Sequence, residues 1–221
     1  TEKNPNKKLK WKIVSVFVFF IVLIILSVLF FEIKYNNAFY PRIFVAGESV
    51  GGKSYHEVLN YFKEKADLIN ENGFIFKIES KNESEEIEVP ILLSGLTNDK
   101  VVEYFSVDGW EDILLKAYET GRNGSLLQRA NQQLALIFRK KELFFPSVVQ
   151  EKNVENLLKS ETDGFLLKAS PAEFLFDNQG QIIIAPEKTG EYVDFGEVVD
   201  ILKKRLLLLD NSIIRIRAEE Q

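Results

Sequence analysis

From Ile13 to Phe31 the chain carries no charge, and only Ser15 and Ser27 interrupt an otherwise apolar run. As a helix rising about 1.5 Å per residue this run covers about 28 Å, close to the hydrocarbon thickness of a bilayer. A surface helix of a soluble domain keeps a polar face, and this run has none; its length and uniformity predict a membrane span. Lys3, Lys7, Lys8, Lys10 and Lys12 crowd its N-terminal side, which orients the N-terminus to the cytoplasm and the rest of the chain outside. A cleavable signal is the competing reading. Its apolar region is shorter and ends at a small-x-small site, whereas Leu29-Phe30-Phe31-Glu32-Ile33-Lys34 contains none, so an uncleaved anchor is expected. The chain therefore divides into a basic cytoplasmic tail (1–12), a transmembrane helix (13–31), a juxtamembrane link (32–42) and a domain over 43–218.

About 190 residues remain outside the membrane, enough for one large or two small folded units. The tail holds five lysines against Glu2, which leaves 23 basic and 32 acidic residues and a net charge of −9 for the remainder. An acidic exterior excludes a nucleic-acid partner, which requires clustered Lys and Arg. With no cysteine in the chain, disulfides, zinc–thiolate sites and cysteine nucleophiles are excluded too. The sequence opens without Met and closes in a strand-like Ile213-Ile214-Arg215-Ile216-Arg217, which suggests a piece of a longer protein. In the link, Tyr35, Phe39 and Tyr40 either sit among lipid headgroups or pack on the domain.

Local patterns predict a strand at Ile43-Phe44-Val45-Ala46, then a helix opened by Ser54-Tyr55-His56-Glu57, with Tyr55, Val58, Leu59, Phe62, Ala66 and Ile69 on one face. Asn72-Gly73 ends it. A hairpin follows, Phe74 to Glu79 and Glu86 to Leu93, turning at Lys81-Asn82-Glu83-Ser84. Val101, Val102 and Phe105 suggest a brief helix, Trp110 to Tyr118 a second, and Ser125 with Gln128 caps a third running to about Arg139. Leu143-Phe144-Phe145 reads as a strand and Val154, Leu157 and Leu158 as a helix broken at Asp163-Gly164. Strands at 171–176 and 181–185 flank a turn at Asn178-Gln179-Gly180. Asp194 with Glu197 starts a last helix, and 212–217 returns as a strand. Strand pairs and helices come in blocks rather than in βαβ order, which predicts an α+β domain, as one body or two lobes near 43–93 and 171–217.

Gly47-Glu48-Ser49-Val50-Gly51-Gly52-Lys53-Ser54 satisfies the phosphate-binding pattern G-x-x-x-x-G-K-S letter for letter. Nucleotide binding there is a weak alternative. The loop falls outside the cell, its preceding strand is short and follows Pro41, and Leu206 to Leu209 before Asp210 fits a helix tail better than the buried strand such a site needs. Turn glycines and a helix-capping serine explain the same letters. His56, the single histidine, lies in a first helical turn, where solvation or capping is expected. Paired acids such as Glu85-Glu86 read as solvated charge, and the glycosylation-type patterns Asn82-Glu83-Ser84 and Asn123-Gly124-Ser125 carry little. No cofactor or metal is expected.

Three blocks, however, occur together. Phe44-Val45-Ala46-Gly47 through Gly52 leads into a helix with Glu57-Val58-Leu59. Ala117-Tyr118-Glu119-Thr120-Gly121-Arg122-Asn123-Gly124 is followed by Arg129. Phe174 through Pro186-Glu187-Lys188-Thr189-Gly190 is followed by Val193-Asp194 and a helix. In this order they resemble the YoaR-like peptidoglycan-binding domain found in VanW-family proteins and ahead of some L,D-transpeptidase (YkuD) domains, which commonly follow one membrane anchor. Lys53-Ser54 departs from that pattern, and no VanW or transpeptidase domain follows.

The resemblance implies peptidoglycan as a partner and Gly121, Arg122, Asn123, Gly124, Arg129, Pro186, Glu187 and Gly190 as candidate binding residues. Arg122 presents a planar donor fork suited to a stem-peptide carboxylate, or equally to the free carbonyls of a helix end. The expectation is a single-pass, non-catalytic extracytoplasmic module that binds or spaces towards peptidoglycan. A POTRA-like module engaging other envelope proteins is the alternative, and a wall-cleaving enzyme using two carboxylates is the weakest reading.

Overall fold

The computed structural model describes residues 5–81, 85–97, 99–176 and 181–220, with side chains from residue 11 onward. The expected turns at 82–84 and 178–180, and the pattern at Asn82, lie outside the described residues. The chain runs α1 (Pro5–Lys34), β1 (Ile43–Val45), β2 (Glu48–Ser49), α2 (Tyr55–Asn72), β3 (Phe74–Glu79), β4 (Glu86–Ile91) and β5 (Ser94–Thr97). Next come β6 (Lys100–Glu103), β7 (Phe105–Ser106), α3 (Trp110–Glu119), α4 (Leu126–Phe138), β8 (Lys141–Leu143), β9 (Val148–Val149) and α5 (Glu151–Thr162). The last third holds β10 (Glu173–Phe176), β11 (Ile182–Ala185), β12 (Glu191–Tyr192), α6 (Phe195–Leu208), β13 (Ile214–Arg217) and β14 (Glu219–Glu220). This is a mixed α+β chain with small sheets and one long apolar helix.

It divides into two compact units, each assembled from two chain segments. The first comprises Thr1–Tyr61 with Gly109–Phe144, the second Phe62–Asp108 with Phe145–Gln221. In the first unit, the stretch Trp11–Lys34 of α1 is long and apolar enough to cross a membrane. Every residue from Trp11 to Leu26 is exposed, and the helix becomes buried only at Val28 and Phe31. Beyond it, β1 is the middle strand of a three-stranded sheet, antiparallel to β2 and parallel to β8. Phe39, Tyr40, Ile43, Val45, Leu114 and Ala117 form the core beside that sheet. Phe39 and Tyr40 are therefore not at a headgroup layer; burying two aromatic rings in the unit outweighs leaving them at its surface. Tyr35 is half-buried, against the Phe31 and Tyr40 rings.

The second unit is built around β3, flanked by β13 in parallel and by β4 antiparallel. Strand alternation turns Phe74, Phe76 and Ile78 inward, all fully buried, while Pro90 lies on the outer strand β4, where its missing donor costs no ladder bond. The apolar face of α2 that the helical spacing predicts is buried at Phe62, Ala66 and Ile69. Asp194 Oδ1 accepts from the amides of Gly196 (2.9 Å) and Glu197 (3.1 Å), capping α6, whose Val198, Val199, Leu202 and Leu206 enter the core. The β10–β11 ribbon leaves Phe174, Phe176, Ile182 and Ile184 exposed.

The structure corrects two local expectations. Residues 100–106 are not helical: β5 and β6 pair antiparallel, Asp99 takes a left-handed φ of 61° in the turn between them, and β7 follows. Val101 and Val102 are β-branched neighbours better suited to a strand than to a lone helical turn. The strand expected at 143–145 instead ends at Leu143, and Phe145 is buried in the second unit against Phe62, ring centroids 5.0 Å apart.

Phe76 occupies the centre of β3 with no exposed surface, so Phe76→Ala is expected to cost about 3–5 kcal/mol in urea unfolding of the detergent-solubilised chain.

Candidate functional site

The glycine-arginine block lies between two helices of the first unit. Helix α3 ends at Glu119; Thr120 turns its Oγ1 back to the Lys116 carbonyl (2.9 Å), and Gly121 then takes a φ of 80°, open to glycine at little cost. A Cβ on Gly121 would meet the Tyr40 ring at 2.9 Å. Chain reversal here sends the Arg122 side chain back across the end of α3. Its guanidinium lies between two aromatic faces, 4.2 Å from the Tyr40 centroid and 4.0 Å from that of Tyr118. Nη1 donates to the Tyr118 carbonyl, and Nη2 donates to the carbonyls of Tyr35 (2.8 Å) and Ala38 (2.5 Å).

Two of those three acceptors belong to the segment that leaves α1. Other groups tie down the same segment: the Tyr118 hydroxyl donates to the Asn36 carbonyl at 2.8 Å, and Arg129 pairs with Glu32. Gln133, buried on the inner face of α4, donates from Nε2 to the Gly121 carbonyl (3.1 Å) and the Tyr40 hydroxyl (3.3 Å). Gln132 Oε1 accepts from the Gly121 amide at 2.8 Å. Burial pushes the Tyr40 hydroxyl up, against the opposing pull of the Arg122 charge and the Gln133 hydrogen bond. Burial likewise lowers the Arg122 guanidinium, offset by Tyr40 and Tyr118.

Of the other candidates in this block, Asn123 and Gly124 are exposed. Gly124 has a φ of 98° before the Ser125–Gln128 capping box of α4. The sequence patterns did not assign Tyr40, Tyr118, Glu32 or Gln133 to this site. Only Gln133 carried a local signal, a polar residue on the apolar face of a helix.

The phosphate-loop lookalike is a turn in which three of the amides are already engaged. Val50 donates to the Ile43 carbonyl (3.1 Å), Gly52 to Phe39 (2.9 Å) and Lys53 to Val50 (3.0 Å). Lys53 Nζ lies over the Tyr61 ring and Ser54 Oγ accepts from the Glu57 amide at 3.1 Å, capping α2. A phosphate cradle needs those amides free and aimed at one point. Beside the cap, a cleft of about 510 Å³ is lined by Asn37, Ser54, Tyr55, His56, Leu115 and Tyr118. Burial, then the nearby Glu111 carboxylate, raises the Tyr55 hydroxyl.

In the second unit, Pro186 and Glu187 are exposed after β11, and residues 188–191 run along the 167–170 segment. Lys188 and Ser170 exchange backbone hydrogen bonds (2.9 and 3.0 Å), and the Glu191 amide donates to Leu167 (2.8 Å). Gly190 is needed for this approach, since a Cβ there would meet the Ala169 nitrogen at 2.7 Å. The buried Glu191 carboxylate accepts from the Ser80 hydroxyl (3.0 Å) and the Lys81 amide (2.9 Å), which fixes the start of β12.

The result is an open cleft of about 690 Å³ lined by Lys159, Gly164, Lys168, Glu191, Tyr192 and Phe195 among others. Tyr192 donates to Glu219 Oε2 at 2.8 Å; that hydrogen bond and the carboxylate charge hold its hydroxyl above the usual range and its ring in place. Lys168 pairs with Asp163 at 3.1 Å in a fully solvated setting. Among the described residues no group of three His, Asp or Glu side chains is placed to hold a metal ion.

The family model described as "Putative peptidoglycan binding domain" matches residues 108–215. That span contains the second and third blocks and both of the segments that build the large cleft. It omits β1 and β3, the strands with which β8 and β13 pair in parallel, so the matched residues fold together with chain that precedes them. No curated protein and no solved structure matches the chain.

Lysine in place of Arg122 keeps the charge but loses the planar fork and its three simultaneous carbonyl bonds. Arg122→Lys is expected to destabilise the first unit by about 1.5–3 kcal/mol, read by urea unfolding followed through Trp110 fluorescence.

Proposed function

We propose that the chain is a single-pass, extracytoplasmic peptidoglycan-binding module whose N-terminal helix anchors it in the cell membrane. The observation that carries this reading is the family match over residues 108–215. Helix α1 supports the anchor: from Trp11 to Leu26 it exposes apolar side chains on every face, which lipid covers and water does not. The lysines of the tail support a cytoplasmic N-terminus.

Within the module, wall contact is assigned to exposed groups: Asn123 and Gly124 in the first unit, and Pro186, Glu187 and the Tyr192–Lys168 cleft beside Gly190 in the second. A fixed aromatic ring next to ammonium groups suits a polymer of sugars and carboxylate-bearing peptides. Arg122, Gly121 and Arg129 are assigned the complementary task of holding the module to its own anchor. On the likeness of the three blocks, the parent is proposed to be a VanW-like or L,D-transpeptidase-like wall protein. The present residues bind and space and carry no catalysis.

Pelleting of the full chain, in detergent micelles, with isolated sacculi tests this. Co-sedimentation that persists at moderate salt and weakens several-fold in Tyr192→Ala is expected. Recovery in the supernatant at both low and moderate salt contradicts binding, and release of muropeptides contradicts the non-catalytic assignment.

A further inference from the structure

Helix α4 buries only half of its apolar surface. Ala130, Gln133 and Leu136 face the interior of the first unit, while Leu126, Leu127, Leu134, Ile137 and Phe138 are 58%, 72%, 45%, 43% and 77% exposed. At 100° per residue these five fall within a sector of roughly 120° that also holds the small, buried Ala130; Asn131 borders the sector, and Ala135, Gln128 and Gln132 lie on the far side. Arg129 is the one ionisable residue of α4, and its charge is paired with Glu32 of α1. A water-facing helix surface of five large apolar side chains is a patch that soluble surfaces rarely tolerate without a partner.

The position of the stripe identifies that partner. Helix α4 packs directly on α1. The contact falls at the outer end of the apolar run, where Val28 and Phe31 are 2% and 9% exposed and where Glu32 meets Arg129. With Ile13 to Phe31 spanning the hydrocarbon, whatever covers Val28 sits at the depth of the last membrane-embedded turn, within about 5 Å of the boundary. Arg139, Lys140 and Lys141 follow Phe138 directly, a basic cluster suited to lipid phosphates even with Glu142 beside Lys140.

We infer that α4 is an interfacial helix that lies in the outer face of the bilayer beside α1, with Leu126, Leu127, Leu134, Ile137 and Phe138 in the acyl boundary. Its occupant is lipid, and the first unit is thereby held flat against the membrane by two elements rather than swinging from one. This rests on the anchor proposed for α1.

The chain lacks cysteine, so single spin labels at Leu127→Cys, Phe138→Cys, Ala135→Cys and Val22→Cys are unambiguous reporters. All four sites are exposed, so the labels leave the packing intact. With the full chain in vesicles of phosphatidylethanolamine and phosphatidylglycerol, the ratio of oxygen to nickel-chelate collisions is expected to be several-fold higher at 127 and 138 than at 135, and highest at 22. Values at 127 and 138 equal to that at 135, with 22 still in lipid, overturn the inference and leave the anchor standing. Shielding of 127 and 138 from both quenchers overturns it in favour of a protein contact. An aqueous signal at 22 overturns the anchor itself.

Discussion

The first unit depends on where one guanidinium places its donors. Arg122 is held between the rings of Tyr40 and Tyr118 and gives hydrogen bonds to the carbonyls of Tyr35 and Ala38, in the stretch where α1 ends and the domain begins. Those carbonyls lie just past the helix end, where acceptors have no intrahelical partner; the Tyr35 oxygen takes the Ala38 amide, and a side chain more than eighty residues away supplies further donors to both. A charge taken half out of water is stable only when its donors are met. The left-handed Gly121, the Gln133 amide and the Arg129–Glu32 pair complete the arrangement around the same segment. The glycine-arginine block is thus built inward, onto the segment that follows α1.

This changes how the second block relates to function. A planar arginine in a span that matches a peptidoglycan-binding family invites a carboxylate ligand, but three of its donor contacts already go to main-chain oxygens and its faces are covered by rings. The third block is different: Gly190 and Glu191 fix the wall of an open cleft whose Tyr192 and lysine side chains remain accessible. In the proposed division of labour, one block orients the module at the membrane and the other meets the polymer.

What could be read from the sequence was whatever local chemistry decides. The apolar run, the Ser54 and Asp194 caps, the Ser125–Gln128 capping box and the pairing of β3 with β4 depend on residues close to one another in the chain, and the structure places them there. What could not be read depends on distant partners. Nothing local marks β1 as pairing with β8, β3 as pairing with β13, or Phe39 and Tyr40 as core. The 101–105 segment misled because a three-residue apolar spacing fits a helical turn and a twisted hairpin alike, and Asp99 in a left-handed turn decided it. Arg122 was legible as a residue with two uses; its choice required knowing that residues 35–40 pass beside it.

The central claim is that Arg122 fixes the end of α1 to the domain. It is tested most directly by the distance distribution between spin labels at Ile33→Cys and Lys116→Cys, both exposed, in the full chain reconstituted in nanodiscs. The account predicts one narrow distribution that Arg122→Ala broadens. A distribution already broad with Arg122 in place, or one unchanged by its removal, contradicts it.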